Sequence, residues 1–222
     1  MREVVLDTET TGLRVEDGDQ VIEIGCVEVI DRIRTGEVYH VYLNVPKDSS
    51  PGALEVHGLT REFLSDKPKF KEIASDFLAF LDTSPLVIHN AKFDLKFINN
   101  ELTLNKLPIL TNDIVDTLII ARRKFPGSPA TLDALCKRFC IDGSKRVKHG
   151  ALLDAELLAD VYLELTGGSQ AMLDLSEEKV DDLDIVTKKV EFPNREFPVS
   201  EEEKSLHQKM LDSLENNLWD KK

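Results

Sequence analysis

The spacing of apolar and polar residues over the first 45 positions is that of β-strands. Residues 4–6 form a short apolar run that ends at Asp7, and residues 21–30 largely alternate apolar and polar side chains. A third β-rich run covers residues 38–43, and we place residues 35–36 (Thr-Gly) in the turn before it. Short connections between successive strands are typical of an antiparallel meander. The pattern therefore predicts three antiparallel strands.

From about residue 50 the spacing becomes helical, because apolar side chains recur every three or four positions. One short apolar strand, residues 85–88, interrupts this region. Residues 114–120 and 132–140 look helical or mixed. Clear helices are predicted over residues 70–81, 93–102 and 150–165, the last of them ended by two glycines at 167 and 168.

The composition shifts beyond residue 168. Acidic residues outnumber basic ones, prolines are scattered, and long apolar runs are few. Such segments are typical of flexible tails, although a terminal helix is predicted over residues 201–218. We therefore divide the chain into a folded domain, 1–168, a short peptide, 169–175, and a flexible tail, 176–222.

Composition indicates a soluble globular protein, with 41% hydrophobic and 31% charged residues among 222. No apolar stretch reaches the roughly 18 residues of a membrane span. The formal net charge of −13 is unlike the basic surface that usually binds nucleic acid. Either the protein excludes polyanions, or its site supplies positive charge as bound metal ions.

Two carboxylates follow the first apolar run. Asp7 and Glu9 are two positions apart, so in a strand their side chains share one face. Two carboxylates at the end of a buried strand are costly unless a cation lies between them, and hard cations prefer oxygen ligands. The alternative is an acidic entry to the turn at residues 10–12 (Thr-Thr-Gly).

Two further aspartates lie at helix starts. Asp94 follows an apolar strand, and it could simply favour the positive end of its helix. Asp154 lies in the first turns of the last long helix, just after His149 in a glycine-flanked loop. A mobile imidazole beside a fixed carboxylate suits a general base next to a metal ligand. A capping aspartate and a solvated histidine are the alternative.

Taken together, three ordered motifs resemble the DEDD exonuclease superfamily, in its histidine-containing (DEDDh) branch. They are Asp-Thr-Glu-Thr-Thr-Gly from residue 7, His-Asn-Ala-Lys-Phe-Asp from residue 89, and His-Gly-Ala-Leu-Leu-Asp-Ala from residue 149. Further matches at residues 56–59, 125–127, 132–136 and 143–154 are similar to the proofreading subunits of bacterial replicative DNA polymerases. The resemblance covers residues 2–168 well and the tail only loosely.

The resemblance implies an α/β, RNase H-like fold, in which helices flank a five-stranded mixed sheet. It also implies hydrolysis of DNA 3′ ends to nucleoside 5′-monophosphates with two divalent cations, Mg²⁺ or Mn²⁺. Asp7 would bridge both cations, Glu9 and Asp154 would complete one site, Asp94 would hold the other, and His149 would act as general base. The terminal nucleotide would be bound by residues of the same region: Asp7, Thr8, Glu9, Thr10, His57, Asn90, Phe93 and Asp154.

The tail would then connect the enzyme to its partners. Residues 169–175 are similar to sliding-clamp-binding peptides, with Gln170, Leu173 and Leu175 as contacts. In residues 176–222, Leu218 and Trp219 would contact the polymerase catalytic subunit, since aromatic anchors dominate interfaces. We expect a cytoplasmic protein with no membrane partner.

Two alternatives remain. The motifs also fit an RNA-directed exoribonuclease of the same superfamily, although such an enzyme would not need a C-terminal tether. A structural polymerase subunit with an idle site is the other alternative, and the complete set of acidic residues and histidine argues against it.

Overall fold

The computed structural model of the chain describes residues 1–144, 146, 148–167 and 198–213. The chain divides into two compact units, residues 1–173 and 174–222. In the second unit only residues 198–213 are described, and they contain one helix, Glu201–Asp212. The predicted clamp and polymerase contacts lie outside the described residues: Gln170, Leu173, Leu175, Leu218 and Trp219.

The first unit is built on a five-stranded mixed sheet, as expected. Its order is β3-β2-β1-β4-β5; β2 is antiparallel to both β1 and β3, and β4 is parallel to both β1 and β5. The strands are β1 Arg2–Thr10, β2 Val21–Ile30, β3 Ile33–Tyr42, β4 Leu86–Ile88 and β5 Ile114–Asp116. The helices are α1 Pro51–His57, α2 Arg61–Leu64, α3 Phe70–Leu81, α4 Ala91–Leu104, α5 Thr117–Lys124, α6 Leu132–Phe139, α7 Ala151–Leu165 and, in the second unit, α8 Glu201–Asp212.

Helices cover both faces of the sheet, and β1 contributes to both cores. Val4 and Leu6 pack into one apolar cluster with α3 and α4, whereas Val5 packs into a second with α5, α6 and α7. Successive side chains of a strand point to opposite faces. Asp7 and Glu9 therefore point to the α7 side of the sheet, and Thr8 points to the α4 side.

The turn between β2 and β3 lies elsewhere than predicted. Asp31 and Arg32 form it, with φ of 51° and 68°, and residues 35–36 lie inside β3. A two-residue hairpin loop of type I′ has positive φ at both positions, a conformation that aspartate tolerates. The glycine at residue 36 misled the prediction: it has a positive φ within the strand, where the β2–β3 register shifts.

Other boundaries also differ from the pattern. β1 continues through Asp7 to Thr10, and the mixed region from residue 114 resolves into β5 followed directly by α5. Helix α8 starts at the predicted residue with a capping box between Ser200 and Glu203. Among the described residues, no helix has the length and apolar character needed to cross a membrane.

Candidate active site

The start of α7 lies beside the end of β1 because its backbone contacts the neighbouring strand β2 closely. Gly25 of β2 pairs with Asp7 of β1 and so shares its face of the sheet. A Cβ at residue 25 would overlap the backbone of Ala151 and Leu152. Only glycine lets the first turn of α7 lie directly on the sheet, and this places Asp154, at the end of that turn, on the same face as Asp7 and Glu9.

Asp94 reaches the site from the other side of the sheet. The hydroxyl of Thr8 donates to its Oδ1 at 2.6 Å, and Asp94 is buried. The start of α4 is fixed by Asp116, whose carboxylate accepts the backbone N–H groups of Asn90 and Ala91 at 3.2 and 3.1 Å. The same carboxylate caps α5, so one side chain ties two helix starts together.

These side chains meet in a cavity of about 740 Å³. All five predicted catalytic residues line it, together with three further predicted nucleotide contacts. These eight residues are Asp7, Thr8, Glu9, Asn90, Phe93, Asp94, His149 and Asp154. The cavity wall does not include Thr10, whose hydroxyl donates to the Gly12 carbonyl at 2.6 Å, or His57, which is buried. His89, which was not predicted to be a pocket residue, lines the cavity as well.

Three carboxylates of the cavity, those of Asp7, Glu9 and Asp94, resist ionisation. Burial, followed by the charges of Asp94 and Asp154, raises the pKa of Asp7 well above its usual range. Burial and the charges of Asp154 and Glu23 raise the pKa of Glu9 to about 8. Burial raises the pKa of Asp94 to about 7, against the opposing hydrogen bond from Thr8. Such a cluster ionises readily only with a cation beside it.

The donor set fits a hard divalent cation. Glu9, His149 and Asp154 each offer one ligand atom, and these atoms lie within 4.8 Å of one another. Carboxylate oxygens dominate the site, as Mg²⁺ and Mn²⁺ prefer. Asp7 and Asp94, which the sequence also assigned to the metals, line the same cavity outside this closest group.

Arg146, for which no role was predicted, also lines the cavity, and its side chain is 8% exposed. Its Nε and Nη2 donate to the two carboxylate oxygens of Asp154 at 2.5 and 2.6 Å. Nη2 also lies 2.8 Å from Nδ1 of His149, and Nη1 donates to Asp133. Its position three residues before His149 was the available signal, but spacing alone does not distinguish an inward-pointing arginine from a solvated one.

A second polar group, also missed, lies beside the site. Glu23 is buried and lies opposite Glu9 in the pairing of β1 with β2. Its Oε1 forms a hydrogen bond with Nε2 of His40 at 2.7 Å. Nδ1 of His57 accepts the N–H of Leu59 at 2.9 Å. Oε2 of Glu23 and Nε2 of His57 are buried with no hydrogen-bond partner in the part of the chain that the structure describes. Strand alternation would have placed Glu23 on the face of Glu9.

Comparison with known proteins agrees with this geometry. The exonuclease family model matches residues 4–162. The DNA polymerase III subunit epsilon of Rickettsia felis is 44% identical over 222 residues, covering 96% of this chain and 97% of that protein.

Two solved structures have the same fold. Exonuclease X, solved in complex with 5′ overhanging duplex DNA, is 25% identical, with a TM-score of 0.60 over 73% of this chain and 90% of its own. The nuclease domain of 3′hExo, a DEDDh family member bound to rAMP, is 16% identical, with a TM-score of 0.64 over 74% of this chain and 91% of its own. The second likeness concerns the fold alone.

The matched family region contains β1 from residue 4 onward, strands β2–β5, the helices α1–α6 and the acidic residues of the cavity. The near-complete alignment with a full-length relative extends the similarity beyond that region. The chain is therefore a nuclease that belongs to the exonuclease family, in its DEDDh branch, alongside the DNA polymerase III epsilon subunits.

Proposed function

We propose that the protein is a 3′→5′ exonuclease that removes mismatched 3′-terminal nucleotides for a replicative DNA polymerase, with two divalent cations, Mg²⁺ or Mn²⁺. The observation that carries the proposal is the cavity in which β1, α4 and α7 bring four carboxylates together beside His149. The role in replication is supported by relatives that are named as polymerase subunits.

In this proposal Asp7, Glu9, Asp94 and Asp154 hold the cations. Bound cations supply Lewis acidity, which activates water and offsets charge on the leaving 3′ oxygen. His149 takes the proton of the attacking water. Its side chain is 42% exposed, so it can reach solvent, while its backbone N–H is fixed by the carbonyl of Val56 at 3.2 Å.

The terminal nucleotide would lie against the Phe93 side of the cavity. The ring of Phe93 packs on Phe97, with centroids 4.9 Å apart, and Asn90 lies at the same wall. An aromatic face stacks on any base, which suits an enzyme that must remove all four nucleotides. His57 and Thr10 stay proposed contacts, and they would have to act from outside the cavity wall.

Partners supply the affinity that this acidic protein lacks. With a net charge of −13, the isolated chain is expected to bind DNA weakly, and tethering to a polymerase would raise the local concentration of primer ends. We propose that residues 176–222 bind the catalytic subunit and residues 169–175 a sliding clamp, in the cytosol. These segments are assigned from sequence alone.

A primer-extension substrate labelled at its 5′ end, matched or mismatched at the 3′ end, tests the activity. We expect stepwise shortening that needs Mg²⁺ or Mn²⁺, stops with a chelator, and is faster at the mismatch. Asp154→Asn should abolish shortening. Asp160→Asn is the matched control, because it removes a carboxylate six residues along α7 that pairs with Arg34 outside the cavity.

Three results would count against the proposal. Equal loss in both variants would mean that the activity follows the stability of α7 instead of the cavity. Faster shortening of ribo-oligonucleotides would favour an RNA-directed enzyme. Shortening by neither the wild type nor Asp160→Asn, on either substrate, would leave a structural subunit.

Deletion of residues 176–222 tests the tail. Hydrolysis of short single-stranded DNA should continue, because every cavity residue lies before residue 155, and co-purification with the polymerase subunit should be lost. Loss of hydrolysis instead would show that the tail belongs to the catalytic fold.

A further inference from the structure

Arg146 makes the most extensive ionic contacts in the described part of the cavity. It forms a fork on Asp154, with Nε and Nη2 at 2.5 and 2.6 Å from the two carboxylate oxygens. Both side chains are buried, at 8% and 4% exposed. Two parallel charge-assisted bonds between side chains that are largely shielded from water are strong and fixed in direction.

The position of the guanidinium is held from its outer side as well. Nη1 donates to Asp133 at the start of α6, and the backbone N–H of Arg146 donates to the carbonyl of Gly143 at 2.9 Å. Arginine presents donors in a rigid fork, so contact with Asp133 and Asp154 together leaves it one orientation.

In this orientation Arg146 contacts two residues of the proposed catalytic site, Asp154 and His149. Each oxygen of Asp154 accepts an N–H donor from Arg146, and Oδ2 also lies 3.2 Å from Nδ1 of His149, so few of its lone pairs are left for a cation. Nη2 also points at Nδ1 of His149, at 2.8 Å. A cation that takes Asp154 as a ligand must therefore approach beside these donors and against the positive charge of the guanidinium, and moving at least one arm of the fork away relieves that repulsion.

We propose that Arg146 is a latch on Asp154: it neutralises that carboxylate until a divalent cation displaces it, and so sets the cation concentration at which the site fills. This inference rests on the proposed function, because it takes Asp154 as a metal ligand. It makes Arg146 a positioning residue that acts through Asp154.

Binding of Mn²⁺ to the full-length protein without DNA, measured by the electron paramagnetic resonance signal of free Mn²⁺, tests the latch. Arg146→Gln should bind Mn²⁺ at least tenfold more tightly than the wild type. In chelator it should melt at a lower temperature, since Asp154 loses its partner, and saturating Mn²⁺ should recover most of that loss.

Two further variants separate the fork from simple charge. Arg122→Gln removes the same charge from the wall of the same cavity, with no carboxylate contact among those described, and its Mn²⁺ affinity should stay within twofold of the wild type. Arg146→Lys keeps the charge but loses the fork, and it should bind Mn²⁺ about threefold more tightly. If Arg146→Gln does not fold, Arg146→Lys decides alone.

Unchanged or weaker Mn²⁺ binding by the Arg146 variants, with a wild type that binds Mn²⁺ and cuts DNA, would overturn the latch and leave the proposed function intact. Equal tightening in Arg122→Gln would reduce the effect to net charge and also overturn the latch. A wild type that neither binds Mn²⁺ nor cuts DNA would overturn both proposals.

Discussion

Gly25→Ala tests whether the close contact of β2 with α7 sets the site. The added Cβ would lie roughly 1 Å inside ordinary contact distance of the Ala151 and Leu152 backbone, and neither side has a flexible side chain that could move instead. The first turn of α7 must therefore shift by about that amount and carry Asp154 with it. Overpacking of a core costs about 1–3 kcal/mol, and we expect the upper end of that range.

Activity should fall further than stability. A misplacement of about 1 Å in a catalytic site costs on the order of a hundredfold in rate. We expect a kcat about a hundredfold lower for Gly25→Ala on a single-stranded DNA substrate, in a variant that remains folded at 25 °C. Urea unfolding measures the change in stability, and steady-state kinetics measures the change in rate.

Gly52→Ala is the matched control. A Cβ at this α1 position meets nothing within 4 Å, and alanine favours a helix over glycine by about 1 kcal/mol. The control should be as stable as the wild type or more so, and fully active. Wild-type stability and kcat in Gly25→Ala would refute the view that this contact positions Asp154.

Three other outcomes are expected. Mn²⁺ affinity should fall by roughly several hundredfold from pH 8 to pH 6 in calorimetric titrations, because pKa values of about 8 for Glu9 and about 7 for Asp94 leave both carboxyls protonated at pH 6, and the cation must displace those protons. A flat profile would contradict the raised pKa values. Thr8→Val removes the hydrogen bond that lowers the pKa of Asp94. The acidic limb of the rate profile should move up by about one pH unit, because one hydrogen bond to a charged group is worth about 1.5–3 kcal/mol. An unmoved limb would exclude Asp94 as its origin. Asp116→Ala should lower the free energy of unfolding, measured by urea denaturation, by about 2 kcal/mol, because it uncaps α4 and α5 together. A loss below about 0.5 kcal/mol would show that water replaces the cap.

The sequence predicted the parts of the fold that repeat along the chain. Helices α3 and α7 matched their apolar spacing closely, and the meander and the mixed sheet are confirmed. The position of the turn between β2 and β3 was predicted less well. Glycine at residue 36 suggested a turn, but the turn formed at Asp31 and Arg32, because a hairpin selects positive φ and not a particular residue.

The residues of the candidate site also differ in whether a sequence pattern could place them. Asp7 and Glu9 could be placed on one face from strand alternation alone. Arg146 and Asp116 could not, since their partners, Asp154 and the start of α4, are reached through loops whose path no periodic pattern encodes. The approach of Gly25 to α7 is likewise a contact distant in sequence, which is visible only in the assembled fold.

The order in which the chain contributes the cavity residues has a consequence for its synthesis. The first and last cavity residues, Asp7 and Asp154, are contributed by the first strand and by the last described helix of the first unit. Contacts so distant in sequence form late, after long loops have closed. A nascent chain on the ribosome therefore cannot carry a complete nuclease until nearly the whole of this unit has emerged. The order of the chain itself delays DNA-cutting activity until the unit can fold.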